Sequence, residues 1–257
     1  EFSTFDGPGL RTTVFFKGCP LRCEWCHNPE GQRSGKEYVK SPNGCVGCGA
    51  CLRAAKKIAG RTEFTKESAT ACPKGLIRVC GVDYTPDSLA ARLNKNADVT
   101  ANGGGITFSG GEPLLRADFI VATSALLDPR LTVALQTSGY TDETTFKKVL
   151  GVCDFVLYDL KIIDETGFKK YCGGSAETVL INYRALAKSG VPFITRVPLI
   201  PTVTDTPENL TAIAETIAAT GGKRVELLPY NRFAGGKYPT IGRVYSPSFD
   251  ETIPPSP

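Results

Sequence analysis

Three cysteines stand close together in "FFKGCPLRCEWCHNPEG", residues 15–31. Cys19, Cys23 and Cys26 follow a C-x3-C-x2-C spacing. Thiolates are soft ligands, and three in one short loop suit a metal centre. Structural sites close with four protein ligands, whereas catalytic ones keep a position open. A cubane [4Fe–4S] cluster held by three cysteines leaves one iron open to a substrate. Structural zinc is the alternative, and it needs a fourth Cys or His nearby. His27, the single histidine, adjoins Cys26, and neighbouring residues fit awkwardly around one tetrahedral ion.

The remaining chemistry sits where predicted strands end. "GITFSGGEP" (Gly105–Pro113) reads as a strand closing on Gly110, Gly111 and Glu112. Two glycines there allow a tight turn or a close backbone approach to a ligand. In "DFVLYDLK" (Asp154–Lys161) the residues Asp159 and Lys161 lie two apart on a predicted strand, so they face the same way. An Asp–Lys pair fits a polar ligand better than a dry core. Thr137 and Asn231 end "LTVALQT" and follow "RVELLPY".

Those ends need a scaffold. β-branched and aromatic runs predict six strands: Arg11–Phe16, Gly105–Pro113, Leu131–Tyr140, Asp154–Lys161, Pro192–Ile200 and Arg224–Tyr230. Helical patterns separate most of them: one starting near Thr85–Asp87, then "TDETTFKKVL", "NYRALAKSG" and "PENLTAIAETIAATG". Alternation of this kind implies parallel strands with crossovers. A Rossmann sheet competes, but no G-x-G-x-x-G follows the first strand. Polar residues at strand C-terminal ends favour a barrel, which builds its active site there. The expected fold is α/β, a partial (β/α)6 TIM-like barrel.

Length and composition set the limits. The 257 residues suffice for one large α/β domain, and 41% hydrophobic with 22% charged content is ordinary. A net charge of +4, read as spread out, gives no sign of nucleic-acid binding. No apolar run approaches the ~20 residues of a membrane span and no secretory leader precedes Cys19, so a cytoplasmic protein is expected. The chain has no Met and opens mid-pattern at Glu1, which suggests trimmed ends. Of ten cysteines, seven precede residue 73 and six of those form two tight clusters, a ligand pattern and not a disulfide framework.

The spacing C-x3-C-x-aromatic-C, with Trp25 as the aromatic, resembles the signature of radical S-adenosylmethionine enzymes. The run "DGPGLRTTVFFKGCPLRCEWCHNPE" (Asp6–Glu30), with "GGGITFSGGEPLL", "YDLK" and "LLPYN", is similar to one branch, the glycyl-radical-enzyme activating enzymes typified by the pyruvate formate-lyase activase. The resemblance implies that S-adenosylmethionine chelates the open iron. Reductive cleavage then gives methionine and a 5′-deoxyadenosyl radical, which takes hydrogen from a glycine of a partner protein.

It also implies roles for residues. Gly110 and Gly111 approach the methionine amino group and Glu112 fixes that edge. Lys161 meets the methionine carboxylate, and Asp159 holds the site or a nearby cation. Trp25 and His27 lie at the adenine region, the alternative for His27 being a hydrogen-bonded loop residue. Thr137 is retained, but Gln136 replaces an Asp of the third-strand motif, which puts a bound monovalent cation in doubt. Asn231 replaces a His and still offers a ribose hydrogen bond. Arg196 reads as an anchor for cofactor or peptide, or as half of a structural ion pair. "DGPGLR" resembles the segment that handles the substrate's glycine loop, against the bland reading of a Pro-Gly turn.

Between the first cluster and Thr85 the texture changes. "CVGCGAC" (Cys45–Cys51) with "ACPKG" (Ala71–Gly75) resembles a ferredoxin module, in which two C-x2-C-x2-C-x3-C-P runs exchange their fourth cysteines. Ala55 stands where the first run should close, and Thr62, Thr65 and Ser68 where the second should begin. Crossed ligation predicts one auxiliary [4Fe–4S] cluster on Cys45, Cys48, Cys51 and Cys72, with Cys80 a weaker substitute for Cys72. Cys153 and Cys172 read as incidental thiols. Residues 1–36 and 81–257 are expected to form the barrel and 37–80 the ferredoxin-like insertion.

The expected function is activation of a glycyl radical enzyme, with a flavodoxin or ferredoxin as electron donor and an auxiliary cluster that relays electrons, supports docking or is purely structural. A radical enzyme acting on a small molecule or peptide, and a non-catalytic two-cluster electron carrier, are the alternatives.

Overall fold

The computed structural model of the chain describes residues 2–253. From the N-terminus, β1 (Phe2–Ser3) pairs antiparallel with β2 (Arg11–Phe16). A small unit follows: β3 (Glu37–Lys40), α1 (Ala50–Arg53), β4 (Lys56–Ile58), β5 (Arg61–Glu63), α2 (Lys66–Ala71) and β6 (Ile77–Cys80). Helices and strands then alternate: α3 (Pro86–Asn94), α4 (Ala97–Thr100), β7 (Gly105–Gly110), α5 (Ala117–Ser124) and β8 (Thr132–Thr137). They continue with α6 (Glu143–Leu150), β9 (Phe155–Asp159), α7 (Glu165–Cys172), α8 (Ala176–Ser189), β10 (Phe193–Leu199), α9 (Pro207–Thr220) and β11 (Val225–Pro229).

The large sheet runs β1-β2-β7-β8-β9-β10-β11 and is parallel from β2 onward. β2 and β11 do not pair, so the six parallel strands make an open, partial (β/α) barrel, as the alternation predicted. β1 was not anticipated; two residues carry no readable alternation. Side-chain caps mark helix starts, of which those of α3, α6 and α9 were legible in the sequence. Thr85 and Ser88 form a capping box on α3, and Asp142, Asp164 and Thr206 each accept a hydrogen bond from a first-turn N–H. α7 was missed, and α8 begins six residues before the "NYRALAKSG" pattern.

The two sheet faces differ in chemistry. On the helix-covered face Ile106, Phe108, Leu135, Val156 and Tyr158 are buried against Ile120, Phe146 and Leu180 of the helices. Each such side chain contributes roughly 1.5–3 kcal/mol by leaving water. Residues paired directly across a ladder share a face. The register Thr13↔Thr107↔Ala134↔Phe155, with Gln136↔Leu157 and Asp159↔Arg196↔Glu226, therefore collects the polar residues on the opposite face. Ala134, Phe155, Leu157 and Ile194 form a small apolar cluster at its lower end.

The N-terminal segment lies over that polar face. The Asp6 carboxylate accepts from the Thr13 hydroxyl at 2.7 Å, and the Thr107 hydroxyl donates to the Asp6 carbonyl at 2.7 Å. Arg11, fully buried, donates to Thr107 Oγ1, Ile106 O, Thr132 O and Pro8 O at 2.7–3.0 Å. Arg196 donates to Phe5 O and pairs with Glu226 at 2.9 Å, so its structural alternative is realised. No helix among the described residues is long and apolar enough to cross a membrane.

Candidate active site

The thiol loop leaves the end of β2 and is clamped from two sides. Against β7, Gly111 N donates to Phe16 O at 2.9 Å, and Glu112 N donates to Gly18 O at 2.8 Å. Against α7, Arg22 N and Glu24 N donate to Cys172 O and Tyr171 O at 2.7 and 3.0 Å. The last carbonyls of a helix lack intrahelical partners, and here the cysteine loop supplies the donors. Tyr238 donates to Cys26 O at 2.9 Å and closes the far end of the loop.

That clamp explains the glycine pair in terms of protein contacts. Gly110 has φ +112°, and a Cβ there would lie 2.3 Å from Phe16 N. A Cβ on Gly111 would lie 2.2 Å from Gly18 O and 2.5 Å from Gly31 O. The close approach is that of the cysteine loop's own backbone.

Glu112 is 1% exposed, and its carboxylate is spoken for. Oε1 accepts from Thr137 Oγ1 at 2.5 Å and Leu114 N at 3.2 Å. Oε2 accepts from Ser138 N at 3.0 Å and Ser138 Oγ at 2.6 Å. A carboxylate has about four lone-pair sites, so Glu112 as folded braces the ends of β7 and β8. Burial raises its carboxyl above the usual range, and the Ser138 and Thr137 hydroxyls oppose that shift.

Asp159 is the last residue of β9, and Lys161, which the predicted run had included, lies just past the strand. The two still meet, Lys161 Nζ standing 3.1 Å from Asp159 Oδ2. Burial works against the ammonium, but Asp159, Cys23 and Cys172 outweigh it and hold it above the ordinary lysine value. Among the described residues, Asp159 Oδ1 is buried without a hydrogen-bond partner. Asn209, missed by sequence reasoning, fixes this corner. It donates to Lys161 O and Thr204 O at 3.0 and 2.9 Å and accepts from Ile163 N at 3.1 Å.

The other expected residues divide. Trp25 is 4% exposed within the main core, whereas His27 is exposed. Thr137 joins the Glu112 brace, and Gln136 accepts from Ser109 Oγ at 3.0 Å. Asn231 lies on an exposed turn past β11, its side chain accepting from Phe233 N at 3.0 Å, and no bond ties it to the thiol loop.

Burial raises the Cys19 thiol to about 12, with Glu112 adding to the shift. Cys23 is held well above the usual range, first by its hydrogen bond with Cys172 and then by burial; burial also raises Cys26. Three protonated thiols in dry surroundings must release protons to bind a metal. Beside them stand an ammonium and a carboxylate oxygen without a partner. This donor set fits a thiolate-held cluster carrying a zwitterionic cosubstrate. Cys172, read as incidental, touches a candidate ligand; no local pattern marks it, because the contact spans almost 150 residues.

In the small unit, Cys45 follows β3 and Cys72 precedes β6, flanking the Lys40↔Ile77 end of their ladder. Lys40 hydrogen-bonds Cys45 and stands in the field of Cys51 and Cys72, which hold its ammonium above the usual value. The N–H of Leu76, 3.4 Å from Cys72 Sγ, is the first cause of that thiol's lowered pKa. Cys80 pairs with Glu37 at the other end of the ladder, about 10 Å away at ~3.3 Å per residue. Among the described residues, no three His, Cys, Asp or Glu side chains are arranged to hold a single metal ion.

Comparison with known proteins agrees with this architecture. The family model "Radical SAM superfamily" matches residues 13–214. The pyruvate formate-lyase 2-activating enzyme of Escherichia coli (strain K12) is 35% identical over 251 residues, covering 96% of this chain and 80% of the relative. The indoleacetate decarboxylase activating enzyme of Tractidigestivibacter scatoligenes is 32% identical over 269 residues, covering 95% and 85%. The benzylsuccinate synthase activating enzyme of Thauera aromatica is 33% identical over 280 residues, covering 98% and 84%. Among solved structures, Streptococcus suis SuiB bound to precursor peptide SuiA superposes with a TM-score of 0.56 at 11% identity, over 93% of this chain and 42% of that one, a likeness of fold alone. The thiol loop at the mouth of an open parallel barrel and the extent of these matches agree: the chain belongs to the radical SAM superfamily and, within it, to the glycyl-radical-enzyme activating enzymes.

Proposed function

We propose that this activase works through Cys19, Cys23 and Cys26 as the three protein ligands of a [4Fe–4S] cluster, with Asp159 and Lys161 as the polar contacts of S-adenosylmethionine. The observation that carries the assignment is the partly buried Asp159–Lys161 pair beside the thiols, with Asp159 Oδ1 left without a donor among the described residues. When bound, the cluster and S-adenosylmethionine supply one-electron reductive cleavage and hydrogen abstraction from a glycine. The chain's own residues bind, align and exclude water. Lys161 offers a cation to the methionine carboxylate, and Asp159 Oδ1 an acceptor to a donor of the cosubstrate. Glu112, Thr137 and Ser138 keep the adjoining strand ends in register, while Gly110 and Gly111 let the thiol loop lie against them. Of the residues the resemblance assigns to the adenosine, exposed His27, adjoining Cys26, is the one best placed to meet it; Trp25 packs in the core and Asn231 sits on an exposed turn past β11.

The segment Asp6–Arg11 lies over the polar face and is pinned by the Arg11 and Asp6 bonds, which supports a surface for a partner's glycine loop. In this reading residues 37–80 form a separate unit set into a barrel of residues 1–36 and 81–257. That unit carries one auxiliary [4Fe–4S] cluster on Cys45, Cys48, Cys51 and Cys72. The positions of Cys45, Cys51 and Cys72 around Lys40 support that ligand set over one using Cys80. The partner class follows from the family, and a low-potential flavodoxin or ferredoxin is the proposed donor.

The deciding experiment is anaerobic. Reconstituted protein, reductant and S-adenosylmethionine are mixed with a panel of glycyl radical enzymes, and the glycyl radical is sought by EPR. A radical that is lost in Cys23→Ala supports the assignment. Release of 5′-deoxyadenosine with no protein radical on any of the panel points to a small-molecule substrate.

A further inference from the structure

A cavity of about 610 Å³ opens beside the thiol loop. Four arginines far apart in sequence line it: Arg22 of the loop, Arg33 beyond it, Arg61 from the β4–β5 hairpin and Arg243 near the C-terminus. Cys23 lines it too. Glu24 is the carboxylate of the same lining, so cations outnumber anions on its walls.

The guanidinium groups are arranged as a field, not as a chelating pocket. Arg33 pairs with Glu63 at 2.5 Å, and Arg243 lies 3.6 Å from Glu37 while donating to Gln32 at 2.9 Å. Arg22 bonds only backbone carbonyls, Cys19 O and Leu21 O, and Arg61 is exposed with no carboxylate partner among the described residues. Burial lowers the Arg243 guanidinium against the pull of Glu37, and the nearness of Arg33 and Arg61 adds to the lowering. Val244, 86% exposed, sits on the same wall. Spread cations around an exposed apolar residue are the chemistry of a protein interface, whereas a small anion needs convergent donors.

We infer that this cavity is the docking surface for an acidic one-electron carrier protein, which delivers its electron beside Cys23. The inference rests on the reading of Cys23 as a cluster ligand. Each turnover needs one electron from outside; the carrier loses it and the cluster gains it, with no other group transferred. Electron transfer falls off exponentially with distance, so the site of entry must lie close to a cluster ligand, and Cys23 lines this cavity. The hairpin that presents Arg61 belongs to the inserted unit, which gives that unit a docking role whatever its own cluster does.

The test uses the enzyme loaded with both clusters and an oxidised, acidic flavodoxin as titrant in a calorimeter. Arg61→Glu is expected to weaken binding about tenfold at low salt, and the difference should vanish at about 1 M salt, where the screening length is about 3 Å. Cleavage driven by reduced flavodoxin should slow by a similar factor, while dithionite-driven cleavage stays unchanged. Unaltered affinity in Arg61→Glu overturns the proposal. So does an equal loss in Lys188→Glu, a remote exposed helix position, because net charge alone would then explain it. Tight binding of inorganic pyrophosphate that is lost in Arg61→Glu would mark a small-anion site instead. Failure of dithionite to yield 5′-deoxyadenosine in the wild type would defeat the activase assignment, while the calorimetry would still decide the docking surface.

Discussion

Glu112→Gln separates two roles for the most heavily hydrogen-bonded acid near the thiols. The carboxylate accepts four hydrogen bonds, two of them from backbone N–H groups, Leu114 and Ser138. A glutamine keeps one oxygen. Placed at Oε1 it retains Thr137 and Leu114, and its amide group then faces Ser138. The Ser138 hydroxyl can rotate to accept, but the Ser138 N–H cannot, so one buried donor is left unsatisfied at a cost of about 1–3 kcal/mol. The three remaining bonds become neutral, each weaker by about 1 kcal/mol. Removing a buried charge offsets part of that loss. The net expectation is a destabilisation of about 2–4 kcal/mol in urea unfolding of the apo protein, with unchanged slope. If Glu112 is a brace, cofactor affinity falls no further than the loosened strand ends require. If instead the variant is as stable as wild type to within about 0.5 kcal/mol while S-adenosylmethionine binding collapses, the carboxylate is a ligand contact and the bracing argument is wrong.

Cys48→Ala should leave S-adenosylmethionine cleavage intact and impair activation, with iron falling from about eight to about four per chain; wild-type turnover would remove the relay role. Twelve irons in the wild type would refute a single auxiliary cluster. Gly111→Ala should cost about 3 kcal/mol or more, measured by thermal unfolding, because its Cβ meets two carbonyl oxygens within 2.5 Å. Arg130 holds the Asp128 carboxyl at about 2, first through its side-chain hydrogen bond. A depressed folded pKa contributes stability above the unfolded value of ~3.9 that is lost as pH falls through about 2. In Arg130→Ala, carboxyl NMR should show Asp128 titrating above about 2 and toward ~3.9, the backbone N–H bond from position 130 holding back the rest; an unmoved titration would deny the pairing.

Much of the architecture was already visible along the chain. Six β-branched runs became the six parallel strands, and Thr85, Asp142 and Thr206 started helices because a side-chain oxygen can satisfy a helix's first N–H groups locally. Cys19, Cys23 and Cys26 announced a ligand loop because their spacing is short. Cys45, Cys48 and Cys51 repeat that short spacing, while Cys72 entered the expected second set only through the resemblance to a ferredoxin module. What a residue touches across the fold was not readable. That Thr137 and Ser138 hold the Glu112 carboxylate was visible only in the fold. Cys172 gave no sign of lying against Cys23, and Asn209 none of holding Lys161. Lys161 itself reaches Asp159 from beyond the strand, by a bend that alternation cannot encode.

Local pattern thus determined the six parallel strands and several helices and marked which side chains could carry chemistry, because propensities, caps and ligand spacings act within about ten residues. Tertiary structure alone decided that two carbonyls of α7 clamp the cysteine loop and that Asp6 and Arg11 lay the N-terminal segment over the polar face. It also decided that Arg22, Arg33, Arg61 and Arg243 face one cavity. Those outcomes depend on packing between segments up to 221 positions apart, and no local preference specifies them.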